Sequence, residues 1–381
     1  MQRQRAIIYI AGFIFSIPLA LTSYINSSFL ESYTDAYHVG IIYIIASVLT
    51  IASMLGMPKM LDRIGNRRTT LSLGLVVFLS FILLAFGNNK LIIVLSFLLY
   101  FISTSLIIAS LDIFIEDFSR TSAVGKFRGF YLMFINSAWV LAQMISGGVL
   151  ARSSYRGIYL LSGGFMVLFA VIFVLFLKDF KDPKYKRVSV FKTAKFFLQN
   201  KNISTIYLIN LILKFFYAWM VIYSPIYLHE YLGFGWDKIG IIFTIMLTAF
   251  FLEYPLGKLS DKIGEKKILK LGFLIAGFFT LFIPFISEPR LWILAGIFFG
   301  TRVGAAMIEV MSESYFFKII SEENADAINF FRNTAPLSYI IGPLLAIPLL
   351  LYVPSFNYLF YILGAIMLGG FLLTLRLRDI R

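Results

Sequence analysis

Cysteine is absent from the 381-residue chain, and histidine occurs only twice. Without cysteine there is no disulfide framework, no thiolate nucleophile and no cysteine metal site. His38 and His229 fall in predicted loops, so neither a nucleophile–base pair nor a set of metal ligands is expected. A phosphate-binding loop of the form G-x-x-x-x-G-K-[ST] is also missing. The sequence therefore argues against an enzyme, an ATP-driven pump, a bound metal and any other cofactor.

Charge is scarce as well. Only 14% of the residues are charged, whereas a soluble domain has about 25% because it faces water. Hydrophobic residues make up 59% of the chain and the mean hydropathy is +0.85, so lipid must take the place of water. The formal charge of +14 does not indicate a nucleic-acid partner, because the basic residues are spread over short loops rather than gathered in one groove.

Long apolar segments define the organisation of the chain. A helix needs roughly 20 mostly apolar residues to cross ~30 Å of hydrocarbon, with every backbone amide satisfied inside the segment. This rule predicts spans at 6–28, 39–60, 69–88, 91–112, 129–151, 156–177, 203–227, 238–257, 268–287, 291–316, 327–351 and 356–376. We predict an all-α polytopic membrane protein with 12 transmembrane helices: a six-helix bundle at 1–177, a cytoplasmic linker at 178–202 and a second six-helix bundle at 203–381.

The linker is basic and too polar to cross a bilayer. Its apolar residues recur at helical spacing, at Val190, Phe191, Ala194, Phe197 and Leu198. Lys192 and Lys195 fall on another face of the same helix. The pattern favours either a helix lying at the membrane interface or a solvated linker.

The distribution of basic residues predicts the orientation. With the N-terminus inside, 27 of the 34 lysines and arginines lie in or beside cytoplasmic segments, five lie in outside loops and two lie within spans. Because cytoplasmic loops carry the excess of lysine and arginine, we predict a multi-pass protein of the cytoplasmic membrane with both termini in the cytoplasm.

One loop sequence occurs twice, 199 residues apart, each time after the second span of a set of six. Its pattern is D-[RK]-I-G-x-[RK]-[RK], in which glycine permits a tight turn and the basic residues stay cytoplasmic. The motif residues are Asp62, Arg63, Gly65, Arg67 and Arg68 in the first copy, and Gly257, Asp261, Lys262, Gly264, Lys266 and Lys267 in the second. A rigid hairpin of this kind suits a gate.

These residues resemble the loop 2–3 motif of the major facilitator superfamily, G-x-L-x-D-R-x-G-x-[RK]-[RK], which often recurs in loop 8–9. The second copy fits at Gly257, Leu259, Asp261 and Gly264, whereas Pro58 takes the place of the first glycine in the first copy. Together with the six-plus-six layout, the resemblance covers the whole chain. It implies the major facilitator fold, in which two six-helix bundles are related by pseudo-two-fold symmetry.

The resemblance also implies a role for four acidic residues near the ends of helices 4 and 10. In the superfamily such acids brace the basic residues of the neighbouring gate loop. On that reading Arg67 pairs with Asp112 or Glu116, and Lys266 pairs with Glu309 or Glu313. Coupling to protons is the alternative role, because buried carboxylates can titrate near neutrality. Glu253 in helix 8 either carries protons or meets Lys258 at the interface.

Two basic residues, Lys214 and Arg302, lie deep within predicted spans, each eleven residues from the start of its span. An unpaired charge there costs roughly 3 kcal/mol, so it faces a cavity or a partner. Helices 7 and 10 line the central cavity of the superfamily. Asn210 and Tyr217 share the face of Lys214. One hypothesis is that both cations recognise an anionic or zwitterionic substrate; the other is that Lys214 forms a structural ion pair with Glu309.

Uncharged polar residues offer further candidates for the substrate site in the first half. Asn26 lies on helix 1, and Asn136 and Gln143 share one face of helix 5. Such amides can equally join helices to each other, at ~1 kcal/mol or less each.

The resemblance thus implies a monomeric secondary active transporter that moves a small-molecule substrate by alternating access, with proton symport, antiport and uniport all open. An anionic or zwitterionic metabolite is the expected substrate. A proton-coupled exporter of drugs is an alternative, although the segment Ala142–Gly148 lacks the Gly-Pro pair that such exporters carry in helix 5. A sensor that kept the fold without transporting is the third alternative.

Overall fold

The computed structural model describes residues 2–119, 124–177, 190–286, 288–320, 325–353 and 355–378. The chain divides into two compact units, Met1–Arg187 and Val188–Arg381. In both units the described residues are helical apart from short turns and caps. This arrangement satisfies the backbone amides within each helix, as hydrocarbon requires.

The first unit begins with α1 (Gln2–Ser23), followed by a short helix at Asn26–Glu31. Next come α2 (Ala36–Ile64), α3 (Asn66–Phe86) and α4 (Lys90–Ser119). The helices α5 and α6 share one run, Val124–Phe176, and are separated by a break at Ser154, where φ is 56°. The first predicted span was therefore drawn too long, because the chain turns after Ser23.

The second unit begins with a short helix at Val190–Gln199 and then α7 (Lys201–Ile226). The helix α8 consists of two segments, Trp236–Leu247 and Glu253–Ile263, joined by a 3₁₀ turn at Thr248–Leu252. It is followed by α9 (Glu265–Phe282), α10 (Leu291–Ile319), a short helix at Ala325–Arg332, α11 (Thr334–Tyr352) and α12 (Asn357–Arg376).

The helix count agrees with the prediction from sequence. Among the described residues, eleven helices are long and apolar enough to cross a membrane. One of them, Phe134–Phe176, has 43 residues, which is about twice the length that one crossing needs. The break at Ser154 divides it into two spans, so the predicted all-α fold with twelve transmembrane helices is confirmed.

The repeated loop has the same backbone geometry in both units. Gly65 has φ 78° and ψ 158°, and Gly264 has φ 85° and ψ 148°. Each glycine also donates its N–H to a carbonyl four residues earlier, Leu61 at 2.9 Å and Ser260 at 2.8 Å. Because this region of backbone space is open only to glycine, the motif requires glycine at both positions.

The basic residues of the two loops bind helix ends rather than acids. Arg67 donates to the carbonyls of Phe173 and Val174 at 3.2 and 3.1 Å. Lys266 donates to those of Leu377 and Leu375 at 2.6 and 3.3 Å. In each unit the loop therefore caps the C-terminal end of the sixth helix, where carbonyls lack partners within the helix and the helix dipole favours a cation.

This finding differs from the expected pairing of the gate-loop cations. Among the described residues, Arg67 contacts helix-end carbonyls rather than Asp112, and Lys266 contacts them rather than Glu309 or Glu313, because the orphaned carbonyls lie within their reach. The pairing of Arg67 with Glu116 stays a prediction. The side chain of Glu116 lies outside the described residues. In both copies of the loop, the residue directly after the glycine contacts the fourth helix of its unit. Asn66 donates to the Ser110 carbonyl at 3.0 Å, and the carboxylate of Glu265 accepts from Ser314 at 3.1 Å.

The other charged residues of the motif lie at the surface. Those whose side chains are described are exposed, namely Asp62, Arg63, Arg68, Lys262 and Lys267. The side chain of Asp261 lies outside the described residues. The gating role expected for these residues stays a prediction.

Replacing Gly264 with alanine tests the backbone requirement. We expect Gly264→Ala to lower the free energy of unfolding by about 1–3 kcal/mol, because a side chain at this φ is strained. Gly257→Ala is the matched control: it lies in the same segment of α8, and a Cβ there meets no atom within 4 Å. The control should be neutral or slightly stabilising. Equal losses of thermal stability in detergent for both variants would contradict the assignment.

Candidate functional site

A group of charged and aromatic side chains lies in the middle of the second unit. The Nζ atom of Lys214 in α7 is 2.8 Å from Oε1 of Glu309 in α10. The hydroxyl of Tyr217 donates to Oε2 of the same carboxylate at 2.7 Å. Nη2 of Arg302 lies 3.7 Å from Oε2. One carboxylate thus holds two cations and a phenol.

Helical spacing explains how these groups meet. Lys214 and Tyr217 are three residues apart on α7, and Arg302 and Glu309 are seven apart on α10, so each pair shares one face of its helix. All four lie in the central turns of helices long enough to span the bilayer. Charges at that depth are expensive unless they are paired, and the pairing of Lys214 with Glu309 meets this requirement.

Two aromatic rings enclose Arg302. The guanidinium carbon is 4.2 Å from the ring centroid of Tyr217 and 4.2 Å from that of Phe250. Each ring face attracts the cation. Only 9% of the Arg302 side chain is exposed, compared with 22% for Lys214 and 20% for Glu309. Arg302 is therefore held in place, whereas Lys214 and Glu309 are each about a fifth exposed.

Phe250 was missed by the sequence reasoning. It belongs to the 3₁₀ turn that interrupts α8, and this turn directs its ring at Arg302. The signal for the interruption is Pro255, which has no N–H for the carbonyl of Phe251 and clashes with a regular helix at that point. A proline alone does not reveal which ring the resulting turn moves.

Two further carboxylates act on this group. Glu253 follows the 3₁₀ turn directly, and its charge interacts with those of Glu309, Arg302, Glu313 and Lys214. The group therefore contains three carboxyl groups and two basic side chains. The expected contact between Glu253 and Lys258 is not formed among the described residues, because Lys258 lies over the ring of Tyr254 at 4.5 Å.

Asn210 joins three helices. Its amide nitrogen donates to Ser312 of α10 at 3.4 Å, and its oxygen accepts from Thr334 of α11 at 2.7 Å. Ser338 adds a bond to the carbonyl of Leu211 at 3.3 Å. The side chain of Asn210 is buried, so these contacts hold α7 against α10 and α11.

The amides of the first unit have similar contacts. Asn26 accepts from Tyr159 of α6 at 3.0 Å, and Gln143 of α5 donates to the carbonyl of Ala20 in α1 at 2.5 Å. Both side chains are buried. Asn136 in α5 and Asp112 in α4 are half-buried. A substrate contact at any of these positions stays a prediction.

The fold and this group of side chains define a polytopic helical transport protein. The sequence profile of the Major Facilitator Superfamily matches residues 7–250 and 237–381. The chain therefore belongs to the Major Facilitator Superfamily, whose members are transporters rather than enzymes, and the resemblance seen in the repeated loop is confirmed.

Relatives and solved structures agree with this assignment. The chain is 24% identical over 307 residues to the quinolone resistance protein NorA of Staphylococcus aureus, covering 75% of this chain and 74% of NorA. It is 29% identical over 145 residues, 36% of each chain, to an uncharacterised MFS-type transporter of Methanocaldococcus jannaschii.

A POT family transporter solved in complex with 5-aminolevulinic acid superposes with a TM-score of 0.79 at 13% identity, covering 98% of this chain and 95% of that one. A structure reported for proton-dependent oligopeptide transporters superposes with a TM-score of 0.77 at 11% identity, covering 98% of both chains. At these identities the likeness shows the fold alone.

Because Glu309 contacts both Lys214 and Arg302, removing the charge of Glu309 should cost more stability than removing that of Lys214. We expect Glu309→Gln to destabilise the protein by about 3 kcal/mol, because it leaves two enclosed cations without their counter-charge. Lys214→Met should cost less, because Glu309 keeps Arg302 and Tyr217. The double variant should lose less stability than the sum of the single losses, since both singles remove the same contact.

Thermal denaturation of the four proteins in detergent measures these differences. Glu288→Gln is the matched control, because its pair with Arg290 is 69% and 62% exposed and exposed pairs contribute little. A loss for Glu309→Gln no larger than that for Glu288→Gln would contradict the central role of this carboxylate.

Proposed function

We propose that this transporter carries a small zwitterionic solute, with an anionic metabolite as the closest variant of the same proposal. The observation that supports the proposal is the partly exposed pair of Lys214 and Glu309 beside the fixed cation of Arg302. Transport would proceed by alternating access, powered by a gradient.

A zwitterion fits the balance of charges better than a simple anion. A free anion that draws Lys214 away leaves Glu309 short of one partner, and an unpaired buried charge is costly. A solute with a carboxylate and an ammonium group offers a replacement partner to both members of the pair. Arg302 keeps part of the counter-charge on Glu309 throughout the exchange.

A proton is the coupling ion that we propose. The five charged residues of the group include one more carboxylate than cation, counting Glu253 and Glu313. Binding one proton removes this excess negative charge without adding bulk. Coupling through this group would also explain why Glu309 lies in the central turns of α10 rather than in a loop.

The orientation that we propose follows from the basic residues. The 27 lysines and arginines assigned to one side belong in the cytoplasm, and the five in the opposite loops belong outside. Both termini are then cytoplasmic, and the protein resides in the cytoplasmic membrane. The linker at 178–202 joins the two six-helix bundles on the cytoplasmic side.

Export of drugs is the second candidate, and the similarity to NorA over 307 residues favours it. The aromatic rings beside Arg302 also offer stacking surfaces to a flat, partly apolar molecule. The segment Ala142–Gly148 of α5 lacks the Gly-Pro pair expected of drug–proton antiporters, so we rank this candidate second.

A thermal-shift screen of purified protein tests the proposed substrate class. We expect zwitterionic metabolites to stabilise the wild type, by about 2.7 kcal/mol at 100 times the dissociation constant. Lys214→Ala should lose this response, whereas Lys238→Ala, which removes an exposed cation from the first turn of α8, should keep it. Stabilisation by neutral or cationic compounds alone, equal in all three proteins, would overturn the proposal.

Transport by proteoliposomes separates the two candidates. With an imposed proton gradient, the zwitterions found in the screen should accumulate or be expelled, and a protonophore should abolish the movement. The same vesicles loaded with a quinolone test drug export. Quinolone flux that depends on the gradient, without any flux of zwitterions, would replace the first candidate with the second.

A further inference from the structure

Phe197 packs the short helix Val190–Gln199 against the second unit. Phe197 is buried, and its ring centroid lies 4.7 Å from that of Phe330 and 5.5 Å from that of Tyr207. The carbonyl of Phe197 accepts from Ser204 of α7 at 2.7 Å. These contacts fix the rotation of the helix about its axis, and therefore which residues face outwards.

The outward side combines apolar and basic residues. Leu198 is 80% exposed and Phe196 is 41% exposed, although the sequence pattern had grouped Leu198 with Phe197 on one apolar face. Lys192 and Lys195 are exposed as well. At 100° per residue, Leu198 and Lys195 lie ~60° apart on one flank of the helix. A lysine beside an exposed leucine is typical of an amphipathic helix that lies in a membrane interface.

The helix is placed at the level of the membrane surface. It ends directly before α7, and Asn202 at the start of α7 accepts from the N–H of Arg378, beyond the end of α12. Phe316, near the end of α10, lies 6.2 Å from the ring of Phe197. The short helix therefore lies next to the start of α7 and the end of α10, which puts it beside the headgroups rather than the acyl chains.

Charge complementarity identifies the occupant of this flank. The segment 190–201 contains three lysines and no acidic residue. Phospholipid headgroups of the cytoplasmic leaflet are negatively charged, and each lysine near such a surface strengthens binding. We propose that the helix Val190–Gln199 docks on anionic phospholipids, with Leu198 inserted at the acyl boundary and Lys192 and Lys195 at the phosphates. This inference does not depend on the identity of the transported solute.

The lack of cysteine allows a direct test, because one introduced cysteine labels a single position. Leu198→Cys and Gln199→Cys, each labelled with an environment-sensitive dye, are compared in nanodiscs of phosphatidylglycerol and of phosphatidylcholine. We expect the Leu198 label to shift to shorter wavelength and to be quenched by lipid-borne quenchers in phosphatidylglycerol. The Gln199 label, which lies between Lys195 and Lys192 around the helix, should report a polar headgroup environment and escape quenchers placed in the acyl region in both lipids.

Removal of the lysines tests the electrostatic part. We expect Lys192→Gln/Lys195→Gln to weaken binding of phosphatidylglycerol by detergent-solubilised protein by roughly tenfold or more, since each lysine contributes a factor of about five. Lys90→Gln/Lys238→Gln, which removes two exposed lysines from the first turns of α4 and α8, should have no such effect.

Three other outcomes of these experiments would each overturn the proposal. Equal signals from the Leu198 and Gln199 labels in both lipids would show a solvated linker. A short-wavelength signal at Leu198 that is the same in both lipids and resists lipid-borne quenchers would show that protein covers this residue. Equal losses of lipid binding in the two lysine variants would show nonspecific attraction.

Discussion

The carboxylate of Glu309 organises the middle of the second unit, because it contacts both Lys214 and Arg302 and so lowers the cost of keeping two cations near the middle of that bundle. It accepts from Tyr217, whose ring then lies against Arg302. The position of the Tyr217 ring therefore depends on the same carboxylate as the ion pair. Removing that charge disturbs α7 and α10 together, since each helix contributes a cation to it. The helices α7 and α10 are thus joined by a polar contact in addition to apolar packing.

A different kind of charge contact operates at the ends of the helices. Arg67 and Lys266 bind terminal carbonyls in α6 and beyond α12, so the same solution appears once in each unit despite the low similarity of the two halves. The glycine before each residue permits the turn that aims the side chain. A cluster of carbonyls stabilises a bound cation less than a carboxylate does, but such a cluster is always present at the C-terminal end of a helix. Helix-end carbonyls occur in every helix, whereas an acidic partner has to be supplied by a separate side chain. Binding to the carbonyls is therefore the simpler explanation of the repeated motif.

The sequence predicted the twelve helices and the repeated loop, because both depend on local patterns: apolar length in the first case and a glycine-centred turn in the second. It also predicted the depth of Lys214 and Arg302, since depth follows from counting residues along a helix. It did not predict the partners of Arg67 and Lys266, because helix-end carbonyls leave no trace in side-chain identity. Phe250 was missed for a related reason: its contact with Arg302 depends on how far a 3₁₀ turn rotates the chain before Pro255. The proposed roles of Lys214 and Arg302 in substrate binding follow neither from apolar length nor from the glycine-centred turn.

The structural and functional hypotheses for Lys214 are compatible once the energies are compared. An ion pair that is fully enclosed is too costly to open during transport, whereas one that is fully exposed contributes almost nothing. With about a fifth of each side chain exposed, the pair of Lys214 and Glu309 lies between these limits. Its opening can therefore be offset by a few new contacts with a solute. Arg302 differs, because two rings and a carboxylate surround it, and its release would need all three contacts to break. A fixed cation beside an exchangeable pair is what a binding site needs in order to open for a ligand without leaving its own charges uncompensated.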